Sequence, residues 1–483
     1  MPKQKVEANK RYKARAMKLY NTLTRKVEEF EPLHPPKVGL YTCGPTVYDY
    51  EHIGHGRKYV YDDILKRTLS YFEYEVKHVQ NVTDVGHLVS DADEGEDKLE
   101  KGARKHGLTV WEVVDFFTKH FYDSMDKFNI QRPNIIAKAT EHIPAQIKLV
   151  SQLVDKGYDY DTPEAVYFNV SKFKNYGSLD PQKMEEKKVG VRKEVQTGDH
   201  KRNPADFALW FKRVGRFKDH IMHWDSPWGA GFPGWHIECS AMSMKYLGST
   251  IDIHTGGVDH IPVHHPNEIA QSEAVTRRPF VNYWVHHEML LVDGRKMSKS
   301  LGNVYKIEDI IAKGFEPLDL RYLYLTAHYR KQQNFNWEAL KSARTARLRL
   351  VKTISQWDSP KIGCAQLEKS FAQAIGDDLN MPEALAVLWE TVNSDYPTGA
   401  KHASVLKMDK VLGLQLDKVS YGRLEFKNLP DKIQKLVQKR EEYRKQKEWK
   451  QADILRGEIS KHGYEVEDMG ASSAVYAKDK SVK

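Results

Sequence analysis

A chain of 483 residues is too long for one compact core and points to about three domains. Hydrophobic residues at 40% suffice for globular folding, while a mean hydropathy of -0.65 and the lack of any long apolar run exclude a transmembrane helix or a secretory core segment. A net charge of +9 is the balance expected beside a polyanionic partner such as DNA or RNA, and three cysteines in so long a chain indicate a reducing, cytoplasmic compartment without a disulfide framework.

Residues 1–18 form a lysine-rich tail that carries Glu7 and lacks serine, which fits a disordered extension better than a transit peptide. Residues 37–41 have strand character and run into a Gly44-Pro45 turn, then into His52-Ile53-Gly54-His55-Gly56-Arg57. Val60, Ile64, Leu65, Leu69 and Phe72 recur at helical spacing and predict an amphipathic helix over 60–72. A strand feeding a helix amino terminus is where α/β proteins place phosphate, because free N–H groups and the helix dipole favour an anion there. His52 and His55 would flank that anion, and Gly54 would allow close approach where a Cβ would intrude. Taken singly, a histidine beside a helix start is more often a cap or a packing residue.

Residues 75–84 alternate apolar and polar and predict a second strand, whose end would turn Thr83 and Asp84 towards the ligand crevice of a parallel sheet. The acidic stretch 91–97 reads as a solvated loop without the ordered spacing of a calcium-binding hand. Helical periodicity covers 110–128. Residues 143–218 look like an insertion with a short strand at 165–170 and a lysine-rich loop at 184–191. The sheet resumes with a strand at 250–254 ending in Thr255-Gly256-Gly257-Val258-Asp259, and with strand character at 283–286 and 289–292.

His264 and Glu268 stand at i and i+4, one face of a helix, and Pro266 suits its first turn. With Cys43 and Cys239 they would offer two sulfurs, one nitrogen and one oxygen, a set that selects zinc over magnesium or calcium. The set lacks a local C-x-x-C pair, so a buried inert thiol remains the competing reading for each cysteine and the preferred one for Cys364. Lys296-Met297-Ser298-Lys299-Ser300, placed after the resumed sheet, reads as a mobile cationic loop for polyphosphate rather than a merely charged surface loop. Beyond 307 the composition turns helical and polar, with helices expected at 318–329, 337–354 and 371–392 and a basic helical stretch from Leu429-Pro430 onward. The fold class expected is α/β: a Rossmann-like parallel-sheet domain with an insertion, followed by an all-α region.

Seven strings occur in order: Tyr41-Thr42-Cys43-Gly44-Pro45-Thr46-Val47-Tyr48-Asp49, His52-Ile53-Gly54-His55-Gly56-Arg57, Asn81-Val82-Thr83-Asp84, Lys201-Arg202-Asn203-Pro204-Ala205-Asp206-Phe207-Ala208-Leu209-Trp210, Gly234-Trp235-His236-Ile237-Glu238-Cys239-Ser240-Ala241-Met242, His264-His265 with Asn267-Glu268, and Lys296-Met297-Ser298-Lys299-Ser300. From about Leu19 to the carboxyl end, the chain thereby resembles the cysteinyl-tRNA synthetases, a class I aminoacyl-tRNA synthetase family. It departs where Val85-Gly86-His87-Leu88 replaces the family's usual Ile-Asp-Asp-Lys, leaving the role of that wall open, where Pro266 replaces a usual glutamate, and around Asp259. The resemblance implies zinc on Cys43, Cys239, His264 and Glu268, with magnesium accompanying ATP. It also implies phosphate contacts from His52, His55, Lys296 and Lys299, Asp259 near ATP, and Gly44, Thr83, Trp235 and His254 around the amino acid. It further implies activation of cysteine, charging of tRNA(Cys), a monomer, and no membrane. The division implied is a tail at 1–18, catalytic halves at 19–142 and 219–305 around the connective insertion 143–218, a stem-contact region at 306–365, a helical bundle at 366–425 and an anticodon-binding region at 426–483. Competing readings are a cysteine ligase with an amino-sugar acceptor, which would not need the basic tail region, and an inactive RNA-binding paralogue, which should have lost a signature residue.

Overall fold

The computed structural model describes residues 17–86, 88, 93, 95–180, 201–298, 301–416, 426–469 and 472–477. Five parallel strands form the centre, in the spatial order Val281–His287, Ile251–Gly257, Lys37–Thr42, Glu75–Val82, Ile135–Lys138. Numbered along the chain this is 5-4-1-2-3, a doubly wound sheet whose winding reverses between its first and fourth strands. Connections leave on opposite faces at that reversal, so a crevice opens beyond the carboxyl ends of Lys37–Thr42 and Ile251–Gly257. Leu40, Tyr41, Val79, Val82, Ile253 and Val285 are wholly buried, as strands covered on both faces require.

The helix Ile53–Tyr71 buries the predicted stripe of Val60, Ile64, Leu65 and Leu69. It starts at Ile53 rather than 60 because His52 is its cap: Nδ1 accepts from the amides of Gly54 (3.1 Å) and His55 (3.3 Å), two donors that the first turn would otherwise leave unpaired. Apolar spacing cannot reveal a turn held by a cap.

Between the halves of the sheet, helix Ile143–Asp155 packs on helices Trp235–Leu247 and His264–Thr276. Beside it lies an antiparallel sheet of Asp159–Asp161, Ala165–Phe168, Phe207–Lys212 and Gly231–Pro233, with a core of Val150, Leu153, Phe168, Leu209 and Trp210. The lysine-rich loop at 184–191 lies outside the described residues, as do most of the tail 1–18 and residues 91, 92 and 94 of the acidic stretch. In the rest of that stretch Gly95 and Glu96 are exposed as a solvated loop requires, but Asp93 and Asp97 are buried and correct the expectation at those two positions. Asp93 Oδ2 accepts from Lys201 Nζ (2.9 Å) and Ala208 N (3.0 Å), and Asp97 caps helix Lys98–His106 by accepting from Leu99 N at 2.7 Å.

Leu290–Val292 leaves the central sheet and pairs instead with Arg295–Lys296 and Gln333–Phe335. The helices that follow include Pro317–Leu325 and Trp337–Ile354. The single helix expected at 371–392 is two, Ala365–Gly376 and Met381–Asn393, broken where Asp378 and Leu379 take left-handed φ values of 54° and 55°. The break lets Asp378 accept from Tyr20 N (2.8 Å), Tyr329 Oη (2.5 Å) and Arg330 Nε (2.7 Å), partners that local periodicity does not report.

The chain closes with helices Asp431–Lys445 and Trp449–Lys461 and an antiparallel hairpin, Tyr464–Met469 with Ser472–Ala477. The region is helical as expected, with the hairpin added: Val466 and Val475 pair across it and complete a small core with Leu429, Ile433, Val437 and Ile459. Among the described residues no helix is long and apolar enough to cross a membrane.

Candidate active site

The crevice at the winding reversal holds a cavity of about 560 Å³, within the range of small-ligand sites. Its walls bring together Cys43, Gly44, His52, His55, Thr83, Trp235, Cys239, Asp259, His264 and Lys296 from five helices and strands and the segments that follow two strands of the sheet. Lys299 lies outside the described residues.

Cys43 follows the first strand, and its amide donates to Thr255 O on the fourth at 3.1 Å. Gly44 comes next because nothing larger fits: a Cβ there would stand 1.7 Å from Asn81 O, and the Gly44 amide donates to Asn81 Oδ1 at 2.7 Å. Cys239 lies on helix Trp235–Leu247, and His264 and Glu268 lie one turn apart on His264–Thr276, as their spacing predicts. The ligand atoms of Cys43, Cys239, His264 and Glu268 all lie within 4.8 Å of one another, and all four residues are buried. Tetrahedral zinc holds N, O and S ligands at about 2.0–2.3 Å, so small side-chain adjustments would close this set around one ion.

The surroundings fit ligation. His264 and His236 share a 2.9 Å Nδ1···Nδ1 hydrogen bond, which leaves His264 Nε2 aimed at Glu268 Oε1 3.0 Å away. Burial raises both thiol pKa values, most strongly that of Cys239. Burial also opposes charge on His264 and Glu268, yet each favours the other's ion: His264 is held up to about 10, and Glu268, with His254 also beside it, down to about 2. A cation entering here would meet one carboxylate and displace protons from sulfur and imidazole. Cys43 and Glu268 also lie within reach of His254 and His265 as an alternative quartet. His254 and His265 do not line the cavity, however, whereas Cys43, Cys239 and His264 do.

That placement corrects the reading of His254 as a contact to the amino acid. Wholly buried, it donates from Nε2 to Glu268 Oε2 at 3.0 Å and so holds a candidate ligand rather than facing the cavity. Asp84 also turns away, accepting from Thr140 N (2.9 Å) and Thr140 Oγ1 (2.6 Å), while Thr83 stays on the wall.

On the opposite side, the His52 and His55 rings stack with centroids 3.5 Å apart. The His55 side chain is about half exposed (49%), and the paired Glu51 carboxylate raises its pKa and favours a cationic donor. Gly54 lies beneath Met297: a Cβ there would come 2.3 Å from Met297 Cε, so glycine lets the Lys296 loop lie against the helix start. Trp235 stacks near His264, with ring centroids 4.2 Å apart.

Among the polar wall residues that escaped sequence reasoning are Lys58, Lys98, His287 and Glu288. The spacing of Lys58 from His55, i and i+3 on one helix, was the available signal. Lys98 follows the capping Asp97 and opens the helix into which the acidic stretch leads. His287 carried none.

The doubly wound sheet, the cavity at its reversal and the paired histidine and lysine strings define a class I aminoacyl-tRNA synthetase. The model for the tRNA synthetases class I (C) catalytic domain matches residues 29–345, and that for the cysteinyl-tRNA ligase anticodon binding domain matches residues 427–473. The cysteine–tRNA ligase of Treponema denticola is 43% identical over 489 residues, spanning 95% of this chain and 99% of that protein. That of Chlorobaculum tepidum is 40% identical over 491 residues, spanning 96% and 100%. In fold, the chain is similar to an Agrobacterium radiobacter LeuRS in complex with tRNA and LeuAMS (TM-score 0.58, 12% identity, 81% and 85% covered). It is similar also to Mycobacterium tuberculosis methionyl-tRNA synthetase in complex with methionyl-adenylate (TM-score 0.54, 15% identity, 78% and 90% covered). The chain belongs to the cysteinyl-tRNA synthetase family and is an ATP-dependent aminoacyl-tRNA ligase.

Proposed function

We propose that this protein activates cysteine with ATP and passes the cysteinyl group to tRNA(Cys), in the cytoplasm and as a monomer. The observation that carries this reading is the single cavity joining three buried metal donors to the stacked histidines and Lys296. Cys43, Cys239, His264 and Glu268 would hold zinc, which when bound supplies a Lewis acid that prefers the substrate's thiolate to serine's hydroxyl. Shape alone would separate such near-isosteres only about 10²-fold.

The chain's own groups would do the rest by positioning and charge. His52 is fixed as a helix cap and His55 by Glu51, so both can donate to ATP phosphates, magnesium accompanying the nucleotide. Lys296, joined by Lys299, would neutralise charge growing on the leaving pyrophosphate. Gly44, Thr83 and Trp235 would enclose the amino acid, and Asp259 would contact ATP. The basic helices Asp431–Lys445 and Trp449–Lys461 would face the anticodon, where phosphate contacts give affinity and base contacts identity.

Exchange of labelled pyrophosphate into ATP tests the reading, with cysteine and with serine as substrates. Zinc-loaded protein should exchange with cysteine only and charge tRNA(Cys) when it is added. A folded, zinc-loaded protein without exchange would refute the reading.

A further inference from the structure

We propose that Lys58 is a further substrate-binding cation, which holds the carboxylate of the amino acid as that carboxylate attacks the α-phosphorus of ATP. The inference rests on the adenylation reading above and adds a residue outside the two signature motifs.

Lys58 stands one turn beyond His55 on helix Ile53–Tyr71 and lines the cavity. Its ammonium has three N–H donors. Among the described residues Nζ donates to Cys43 O and forms an ion pair with Asp62, whose Oδ2 lies 2.7 Å away, and the aliphatic stem brings Nζ to 4.5 Å from the Tyr59 ring centroid. With one oxygen acceptor and one ion pair, the ammonium keeps donor capacity for the cavity it lines.

Asp62 is itself held from behind. Its Oδ1 accepts from Thr255 Oγ1 (2.6 Å) and His287 Nε2 (2.9 Å), so its charge is shared with two buried donors on the fourth and fifth strands. Of the pair, the ammonium is the member that meets the cavity, with 14% of the Lys58 side chain exposed against 4% for Asp62. Lys58 donates to the Cys43 carbonyl and stands three residues beyond His55 on the same helix, so its ammonium adjoins the proposed thiol anchor from the turn that follows the phosphate-binding histidines. An amino acid tethered by its sulfur near Cys43 and reacting with ATP beside His55 must carry its carboxylate across this interval.

In the step concerned, a carboxylate oxygen bonds to the α-phosphorus while the bond from that phosphorus to the bridging oxygen breaks. Pyrophosphate leaves with the electron pair. No proton passes to or from Lys58 in this step; its N–H donors stabilise the anion before and during transfer.

The test compares calorimetric binding of cysteine with that of cysteamine, which keeps thiol and amine but lacks the carboxylate, to zinc-loaded wild type, Lys58→Met and Lys58→Arg. Lys58→Met should weaken cysteine about 10- to 100-fold, the range of a hydrogen bond to a charged group, and leave cysteamine unchanged. Lys58→Arg should keep zinc and retain most of the preference for cysteine over cysteamine. The kcat of exchange should fall in Lys58→Met at least as far as binding does. Equal weakening of both ligands in a zinc-replete Lys58→Met protein, or no weakening of either, overturns the proposal. If Lys58→Met loses zinc or fails to fold, Lys58→Arg decides: loss of the preference with zinc retained overturns the proposal, and retention supports it. A wild type that binds neither thiol defeats the adenylation reading itself, an outcome distinct from failure at Lys58.

Discussion

The catalytic cleft and the carboxyl-terminal unit are built on opposite principles. In the cleft, neighbours in space are remote in sequence: Thr255 bonds to Asp62 across 193 residues, and His287 to the same carboxylate across 225. In the terminal unit, two consecutive helices and a hairpin enclose a core drawn entirely from residues 429–475. The cleft therefore exists only as part of the whole sheet, whereas the terminal unit carries its own apolar centre. Precise placement of several charges needs convergent elements; presenting a basic helical surface does not.

The largest effect that would sharpen this contrast is Cys239→Ala. Removing one of four donors should abolish zinc retention and cysteine-dependent exchange while leaving the fold intact, checked by metal analysis and circular dichroism; exchange that survives without metal would show that the cleft does not depend on all its contributors. Next comes pH. Burial raises the Cys43 and Cys239 thiols and Glu268 holds His264 up to about 10, so the metal-free site carries these protons at neutrality and zinc must displace them. Zinc affinity should consequently fall as pH falls, by about 10²-fold or more per pH unit when two or three protons are released. Chelator competition between pH 6 and 8 measures the slope, and a slope below one proton would contradict the assigned set.

Truncation after residue 416 addresses the independence of the terminal unit. Exchange should persist within about twofold, while tRNA charging falls about 10²-fold or more as stacking and phosphate contacts are lost. Parallel loss of both activities would break the contrast. The smallest expected effect is that of His254→Ala, which should weaken zinc about 10- to 100-fold through Glu268 without altering discrimination between cysteine and serine at saturating metal.

Sequence pattern was informative wherever a short-range rule operates. The stripe of helix Ile53–Tyr71 and the i, i+4 placement of His264 and Glu268 both follow from local geometry that the chain spells out. It was silent where a distant partner decides the outcome. The break at Asp378 answers to Tyr20, 358 residues away, and Asp93 is buried because Ala208 and Lys201 need an acceptor. His254 illustrates the boundary: its strand was legible, but the side of the fold to which it turned depended on Glu268.

Arg57, the last residue of the histidine string, carries a consequence for synthesis on the ribosome. Its buried guanidinium donates to Glu288 O, His328 O (3.0 Å), Lys331 O (2.8 Å) and Gln333 Oε1 (3.2 Å). Gln333 is 276 residues downstream, so at about 5–20 residues per second the nascent chain waits roughly 14–55 s between making Arg57 and making its last acceptor. Throughout that interval the histidines lie next to an uncompensated charge that cannot be buried. The set of acceptors around Arg57 is thus complete only after the chain has passed residue 333, and the cleft beside it can finish forming only then.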